Sequence, residues 1–259
     1  MKKSLNLDWI IGSALLVLLV FVVDTIVAPK NAVLGQGIAA TFYSFLIWSQ
    51  NELTVDVLYT ISRVILGFFI AVFFGIIIGL STGRYANMSK SVSGIFNYLR
   101  AITPVALAPF FLIALGINEW SKILLISWGA FFPIWISAHL GIKSLPRDLI
   151  TSTKLLGLSR WQILRHFYFP ATFNAAYPGM RIAIGLSFIL VFISEALGAS
   201  QGVGFRLGVA YDTLQTAYMM SALLLLGILG WIADRMFVAT LSYLTPWISF
   251  EKNNETASK

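Results

Sequence analysis

Apolar residues run along this chain in long blocks, separated by short segments that carry most of its charge. A helix that crosses a bilayer needs about 20 mostly apolar residues. The blocks at 9–28, 57–80, 95–116, 123–142, 178–198 and 222–243 meet that requirement. The stretch 31–53 is different, because its apolar part, Val33 to Trp48, is interrupted by Gly35, Gln36 and Gly37. That pattern suits a helix lying in the membrane interface better than a span. The hydrophobic pattern therefore predicts an all-α polytopic membrane protein with six spans and an interfacial helix after the first.

Composition supports the same reading. Apolar residues make up 58% of the 259, charged residues 11%, and the mean hydropathy is +0.83. Soluble domains carry roughly 25% charged residues, so a chain this poor in charge takes lipid as its solvent. A net charge of +7 raises nucleic acid or anionic lipid as partners, but the basic residues fall in loops between apolar blocks, which argues against nucleic acid. The chain has no cysteine, so disulfide and thiol chemistry are excluded. Met1-Lys2-Lys3 before an apolar run has some signal-peptide character. The run 9–28 is long for such a peptide, contains Asp24 and lacks an A-x-A cleavage site, so it reads as a retained first span.

Lys and Arg in the short loops set the orientation. With the N-terminus in the cytoplasm, that side holds Lys2, Lys3, Arg84, Lys90, Lys143, Arg147, Lys154, Arg160, Arg165, Lys252 and Lys259; the opposite side holds Lys30, Lys122 and Arg206. Both termini are then cytoplasmic. So is the segment 143–177, the longest polar stretch inside the cell. Within it, Gly157 can end one short helix, Ser159 can cap the next, and Pro170 would close that second helix.

Thr151-Ser152-Thr153-Lys154-Leu155-Leu156-Gly157, continuing through Ile163 to Phe169-Pro170, resembles the EAA loop of ABC importer permeases. The Gly, the Ile and the Pro stand at matching spacing. Thr151 replaces the Glu, Ser152 and Thr153 replace the two Ala, and Phe169 replaces the Leu before the proline. Ser62-Arg63-Val64 with Gly67-Phe68, and Arg100-Ala101-Ile102-Thr103-Pro104 with Ala106 and Pro109, look like the permeases for nitrate, sulfonates, taurine or bicarbonate. Gly179-Met180-Arg181-Ile182-Ala183, Ser194-Glu195-Ala196 and Gly202-Val203-Gly204 are similar to the same group. The likeness covers about 54–245, flanked by an N-terminal span and interfacial segment (1–53) and a cytoplasmic tail (246–259).

The resemblance implies a coupling role for Thr151, Ser152, Thr153, Gly157, Leu158, Ser159, Arg160, Trp161, Ile163 and Pro170. A short helix from about Gly157 to Arg165 would dock on a cytoplasmic ATPase. Arg and Trp there are residue types that dominate interfaces, although positive-inside charge and an interfacial Trp would read alike from composition alone. Thr151 cannot form the ion pair that a Glu would allow. The resemblance further implies a second permease copy, two ATPase subunits that hold ATP and Mg, and an external solute-binding protein. It implies no cofactor in this chain.

Gly67, Ala71, Gly75, Gly79 and Gly83 recur every fourth residue, a stripe that lets another helix approach closely. Static packing within one chain is its expected use. Pro104, Pro109 and Pro133 fall inside the third and fourth blocks, where they either kink the helix or break it to line a pathway. Ionisable groups inside spans are functional candidates by default. Arg63 and Glu195 are expected at similar depth, as a pair. Arg100 and Arg181 lie toward the cytoplasmic ends, where snorkelling would explain them. Arg63 and Arg100 are the candidates to face an anion, and Arg63, Arg100, Pro104 and Glu195 together are the pathway candidates. Asp234-Arg235 is expected as a local pair, and His166 as a surface group.

No G-x-x-x-x-G-K-[ST] loop, metal-ligand cluster or catalytic triad is present in the sequence, so the chain reads as a transport subunit and not an enzyme. Two rivals are a secondary transporter or channel, which would need a cluster of buried acids, and a scaffold without a pathway. The acids inside the blocks, Asp24, Glu195 and Asp234, are scattered along the sequence, which disfavours the first. Nitrate, sulfonates, taurine, bicarbonate or a pyrimidine precursor would suit the resemblance as substrate.

Overall fold

The computed structural model of the protein describes residues 37–146 and 159–244. The first expected span, the coupling positions Thr151, Ser152, Thr153, Gly157 and Leu158, and the tail lie outside them. The described residues form helices and no strands. In chain order these are α1 (Gly37–Asn51), α2 (Leu53–Arg84), α3 (Ala86–Ala101), α4 (Pro104–Leu115) and α5 (Glu119–Lys143). The short α6 (Arg160–Ile163), α7 (Phe169–Gly198), α8 (Val203–Asp212) and α9 (Thr216–Leu244) follow.

Among the described residues, four helices are long and apolar enough to cross a membrane: Leu53–Arg84, Glu119–Lys143, Trp161–Gly198 and Thr216–Tyr243. A fifth arises if the bent pair α3–α4 counts as one span. The expected block at 95–116 is thus corrected: it is two helices meeting at 93°. The reason is local. Proline disfavours helical backbone in the residue before it, and both Ile102 (ψ 116°) and Thr103 (ψ 120°) are extended. Pro104 then starts α4, where its missing N–H costs nothing. The bent pair lies against an aromatic face of α5, with Phe96 5.0 Å from Trp135 and Phe111 6.3 Å from Trp128, centroid to centroid.

Helix α5 is the centre of the bundle, packed between α2 and α7. Its N-terminus is closed by a reciprocal cap: Ser121 N–H donates to Asn118 Oδ1 at 2.9 Å, and Asn118 N–H donates to Ser121 Oγ at 3.4 Å. The small-residue stripe of α2 lies along α5. A Cβ built on Gly67 would stand 2.7 Å from Ile126, on Gly75 2.7 Å from Ile134, on Gly79 2.4 Å from Ala138, and on Gly83 2.7 Å from Ile142. Only hydrogen fits at those points, so the stripe packs two helices of one chain, as expected. Ala71 is buried in the same seam, in a cluster with Ile134, Ala138, Ala176 and Met180.

Pro170 does not close a helix. Residues 161–198 run as one continuous helix, with a π-helical turn at Leu164–Tyr168 just before the proline. There Phe169 N–H donates to the Leu164 carbonyl, five residues back. A wider turn makes room for the proline ring, which would otherwise meet the carbonyl four residues earlier. The segment expected to couple to an ATPase therefore continues directly into a membrane helix.

Candidate functional site

Two polar regions stand out, at opposite ends of the bundle. The first gathers where α2 and α5 begin and α7 ends. Asp56, Thr60 and Arg63 lie on one face of α2, at helical spacings of four and three residues. Arg63, 2% exposed, is held by three partners. Its Nε and Nη2 donate to both Glu119 oxygens at 2.6 and 2.8 Å, and its Nη1 donates to Glu195 Oε1 at 2.7 Å and to the Gln201 carbonyl at 2.8 Å. Lys122 Nζ donates to Glu119 at 2.9 Å. The expected pairing of Arg63 with Glu195 is therefore present. With its donors so engaged, Arg63 has little left for a passing anion.

Glu195 is fully buried and accepts from Thr60 Oγ1 at 2.9 Å and from Gly204 N–H at 2.8 Å. Thr60 in turn accepts from Val203 N–H at 2.9 Å. Asp56, also fully buried, accepts from Gly202 N–H and Arg206 Nε, both at 2.8 Å, and from Trp48 Nε1 at 3.0 Å. Arg206 also pairs with Glu52. Three side chains of α2 and α7 thus occupy the free N–H groups at the start of α8, where helical dipoles favour negative charge. Gly202 permits this approach: its φ is +129°, and a Cβ there would sit 2.5 Å from the Glu195 carboxylate.

Sequence reasoning found Arg63 and Glu195 here but missed Asp56, Thr60, Glu119 and the role of Arg206. The signal for two of them was legible, since 56, 60 and 63 share a helical face in a block otherwise apolar. Of the acids expected to be scattered, Glu195 lies here with Asp56 and Glu119, Asp234 pairs with Arg181 elsewhere, and Asp24 lies outside the described residues. Asp56, Glu119 and Glu195 are each matched by a cation or by backbone donors.

The second region is the other end. Ser159 caps α6 as expected: Ser159 N–H donates to Gln162 Oε1 at 2.8 Å, and Gln162 N–H donates to Ser159 Oγ at 3.3 Å. Trp161 is 67% exposed. Ile163 is buried with Ile142 and Tyr168, and His166 lies exposed, as expected of a surface group.

Asp234 pairs with Arg181, and Arg181 therefore does more than snorkel. Arg181 Nε and Nη2 donate to the two Asp234 oxygens at 2.8 and 3.0 Å, joining α7 to α9. Arg100 lies exposed in the last turn of α3, at the 93° break, with the uncapped N-terminus of α4 following it. No group of three or more potential metal ligands occurs among the described residues.

The family described as binding-protein-dependent transport system inner membrane component matches residues 55–249. A nitrate import permease of Synechocystis is 34% identical over 196 residues, covering 76% of this chain and 71% of the relative. The taurine transport system permease of Escherichia coli is 31% identical over 188 residues, covering 73% and 68%. A bicarbonate transport system permease of Synechococcus elongatus is 31% identical over 190 residues, covering 73% and 67%. Among solved structures, a chain of the methionine ABC transporter MetNI in an inward-facing conformation shares the fold. Its TM-score is 0.59 at 24% identity, and the match covers 72% of this chain and 95% of that one.

Proposed function

Because this chain belongs to the family of binding-protein-dependent transport system inner membrane components, we propose that segment 143–177 docks on a cytoplasmic ATPase and drives a solute pathway for a small anion. The chain is the membrane subunit of an ABC importer and not an enzyme. ATP with Mg is bound and hydrolysed in the partner. The observation that carries the docking is the shape of 159–169. A capped turn presents Trp161 at 67% exposure and runs without interruption into α7. A push on Trp161 would therefore act on a membrane helix with no loop in between to absorb it.

On this reading Ser159, Arg160, Trp161 and Ile163 form the docking helix, with Thr151, Ser152, Thr153, Gly157 and Leu158 before it and Pro170 behind it. Both termini face the cytoplasm. The network around Arg63 and Glu195 is then on the outer side, where a solute-binding protein delivers the substrate to a pathway formed with a second copy of this chain. The relatives named for nitrate, taurine and bicarbonate support a small anion. Arg100 and Pro104, at the break between α3 and α4, are the pathway positions, because Arg63 and Glu195 are occupied by each other.

The test is detergent co-purification of the chain with its ATPase, for wild type, Trp161→Ala and Gly157→Arg. Wild type should retain the ATPase. Both variants should insert in the membrane and lose it, Trp161→Ala by about tenfold or more in affinity, as interface Trp residues do. Retention by both variants would refute the docking assignment.

A further inference from the structure

Arg84 and Tyr168 join the docking segment to the rest of the bundle. Arg84 is the last residue of α2, and its guanidinium carbon lies 4.5 Å from the centroid of the Tyr168 ring. Tyr168 is buried, at the end of the π-helical turn. The ring packs with Ile142 of α5 and Ile163 of α6, with Leu80, Phe167 and Ala171 around them. The Tyr168 carbonyl accepts from Thr172 Oγ1 at 2.7 Å, which fixes the turn to the first residues of α7. So one side chain touches the docking helix, the central helix and the end of α2.

A π-helical turn has wide, less regular hydrogen bonding, and such turns occur often at functional positions. Left to itself, it is a point along the 38-residue helix 161–198 where a push on Trp161 could be lost as local bending. A guanidinium stacked on a ring at this separation resists such bending, and the contact strengthens where water is excluded.

We propose that Tyr168, clasped by Arg84, is a positioning residue for coupling: it locks the π-helical turn to α2, so that the docking helix, α7 and α2 move as one body. This rests on the docking reading above and assigns to that segment a second output, through α2, besides the direct one into α7.

The chain has no cysteine, so introduced thiols are unique labelling sites. Nitroxide labels at Ser81→Cys on α2 and His166→Cys in the turn, carried by one copy beside an unlabelled second copy, report their separation by double electron–electron resonance. The full chain is measured in complex with its ATPase, both nucleotide-free and trapped with ATP and vanadate. In the otherwise wild-type chain, one narrow distance should persist in both states. With Tyr168→Leu or Arg84→Gln added, the trapped state should broaden or split into two distances, and Tyr168→Phe, which keeps the ring, should restore the single one.

A separation that already changes on trapping without those substitutions would show that the turn slides on α2, and would overturn the proposal. So would an unchanged narrow distance in both Tyr168→Leu and Arg84→Gln, or a Tyr168→Phe variant as disturbed as Tyr168→Leu. Failure of the unsubstituted chain to hold an ATPase at all would instead refute the docking reading, and is seen at the co-purification step before any distance is measured.

Discussion

Replacing Glu195 by Gln changes one atom in a site with no spare acceptors. Its Oε1 takes the Arg63 Nη1 bond at 2.7 Å and its Oε2 the Gly204 N–H at 2.8 Å. An amide offers one acceptor and one donor, so in either orientation an NH₂ meets Arg63 or Gly204, both donors. Removing one partner of a buried ion pair costs about 3–5 kcal/mol. Arg63 keeps its two bonds to Glu119, which places the expected cost at the lower end, about 3 kcal/mol. In an Arg63→Met background the outcome should differ. With Arg63 gone the buried carboxylate has already lost its ionic partner and the new amide no longer meets that donor, so Glu195→Gln should cost close to nothing. A coupling of about 2–3 kcal/mol follows, well above the ~0.5 kcal/mol within which independent sites add. The assay is reversible unfolding in mixed micelles, followed by the fluorescence of the eight tryptophans. An equal cost of Glu195→Gln in both backgrounds would refute the idea that the two residues stabilise the fold as a pair.

The same unfolding assay checks five further variants, the last together with a binding titration. Glu119→Gln should cost only about 1 kcal/mol, because that carboxylate is half exposed and water can replace its bonds. Gly79→Leu should prevent folding, since even a Cβ there lies 2.4 Å from Ala138, whereas Gly94→Ala, with nothing within 4 Å, should stabilise by about 0.5–1 kcal/mol. Gly202→Ala should destabilise by about 2 kcal/mol or more, through both its positive φ and its clash with Glu195. Ser159→Ala removes a helix cap worth about 1 kcal/mol and should leave global stability unchanged while weakening ATPase binding about fivefold in a pull-down titration.

The stripe on α2 was legible because close helix approach needs small residues at a fixed period, and that period survives in the sequence as Gly67, Gly75, Gly79 and Gly83. The Arg63–Glu195 pair was legible because charge inside an apolar block needs a partner at the same depth. The break at Ile102-Thr103 was only half legible. Proline announces a disturbance, but neither its sequence nor its spacing says whether the helix kinks or turns through 93°. Pro170 misled for the converse reason: a π-helical turn can absorb a proline, and no residue pattern marks one. The pairing of Asp234 with the distant Arg181 was hidden because contact across two helices is a tertiary fact, invisible along one of them. The α8 contacts of Asp56 and Thr60 depended on a single backbone angle at Gly202, which the sequence permits without requiring.

The two ends of the bundle differ in what would have to break for them to part. Separating α7 or α8 from α2 at the Arg63 end would strip Glu195, Asp56 and Thr60 of donors in a site where both carboxylates are fully buried. Each lost ionic partner there costs about 3 kcal/mol or more. No such ties hold the outer faces of α3 and α4, where Tyr98, Phe110 and Ile113 are 74%, 65% and 84% exposed. A change of access on the proposed mechanism would therefore leave the α2–α5–α7–α8 core intact and take place between copies of the chain. For that movement to be driven from the cytoplasmic side, the push at Trp161 must reach the core as a rigid displacement. A stiff turn at Tyr168, directly continuous with α7 and tied to the end of α2, meets that demand; a flexible loop at the same place would not.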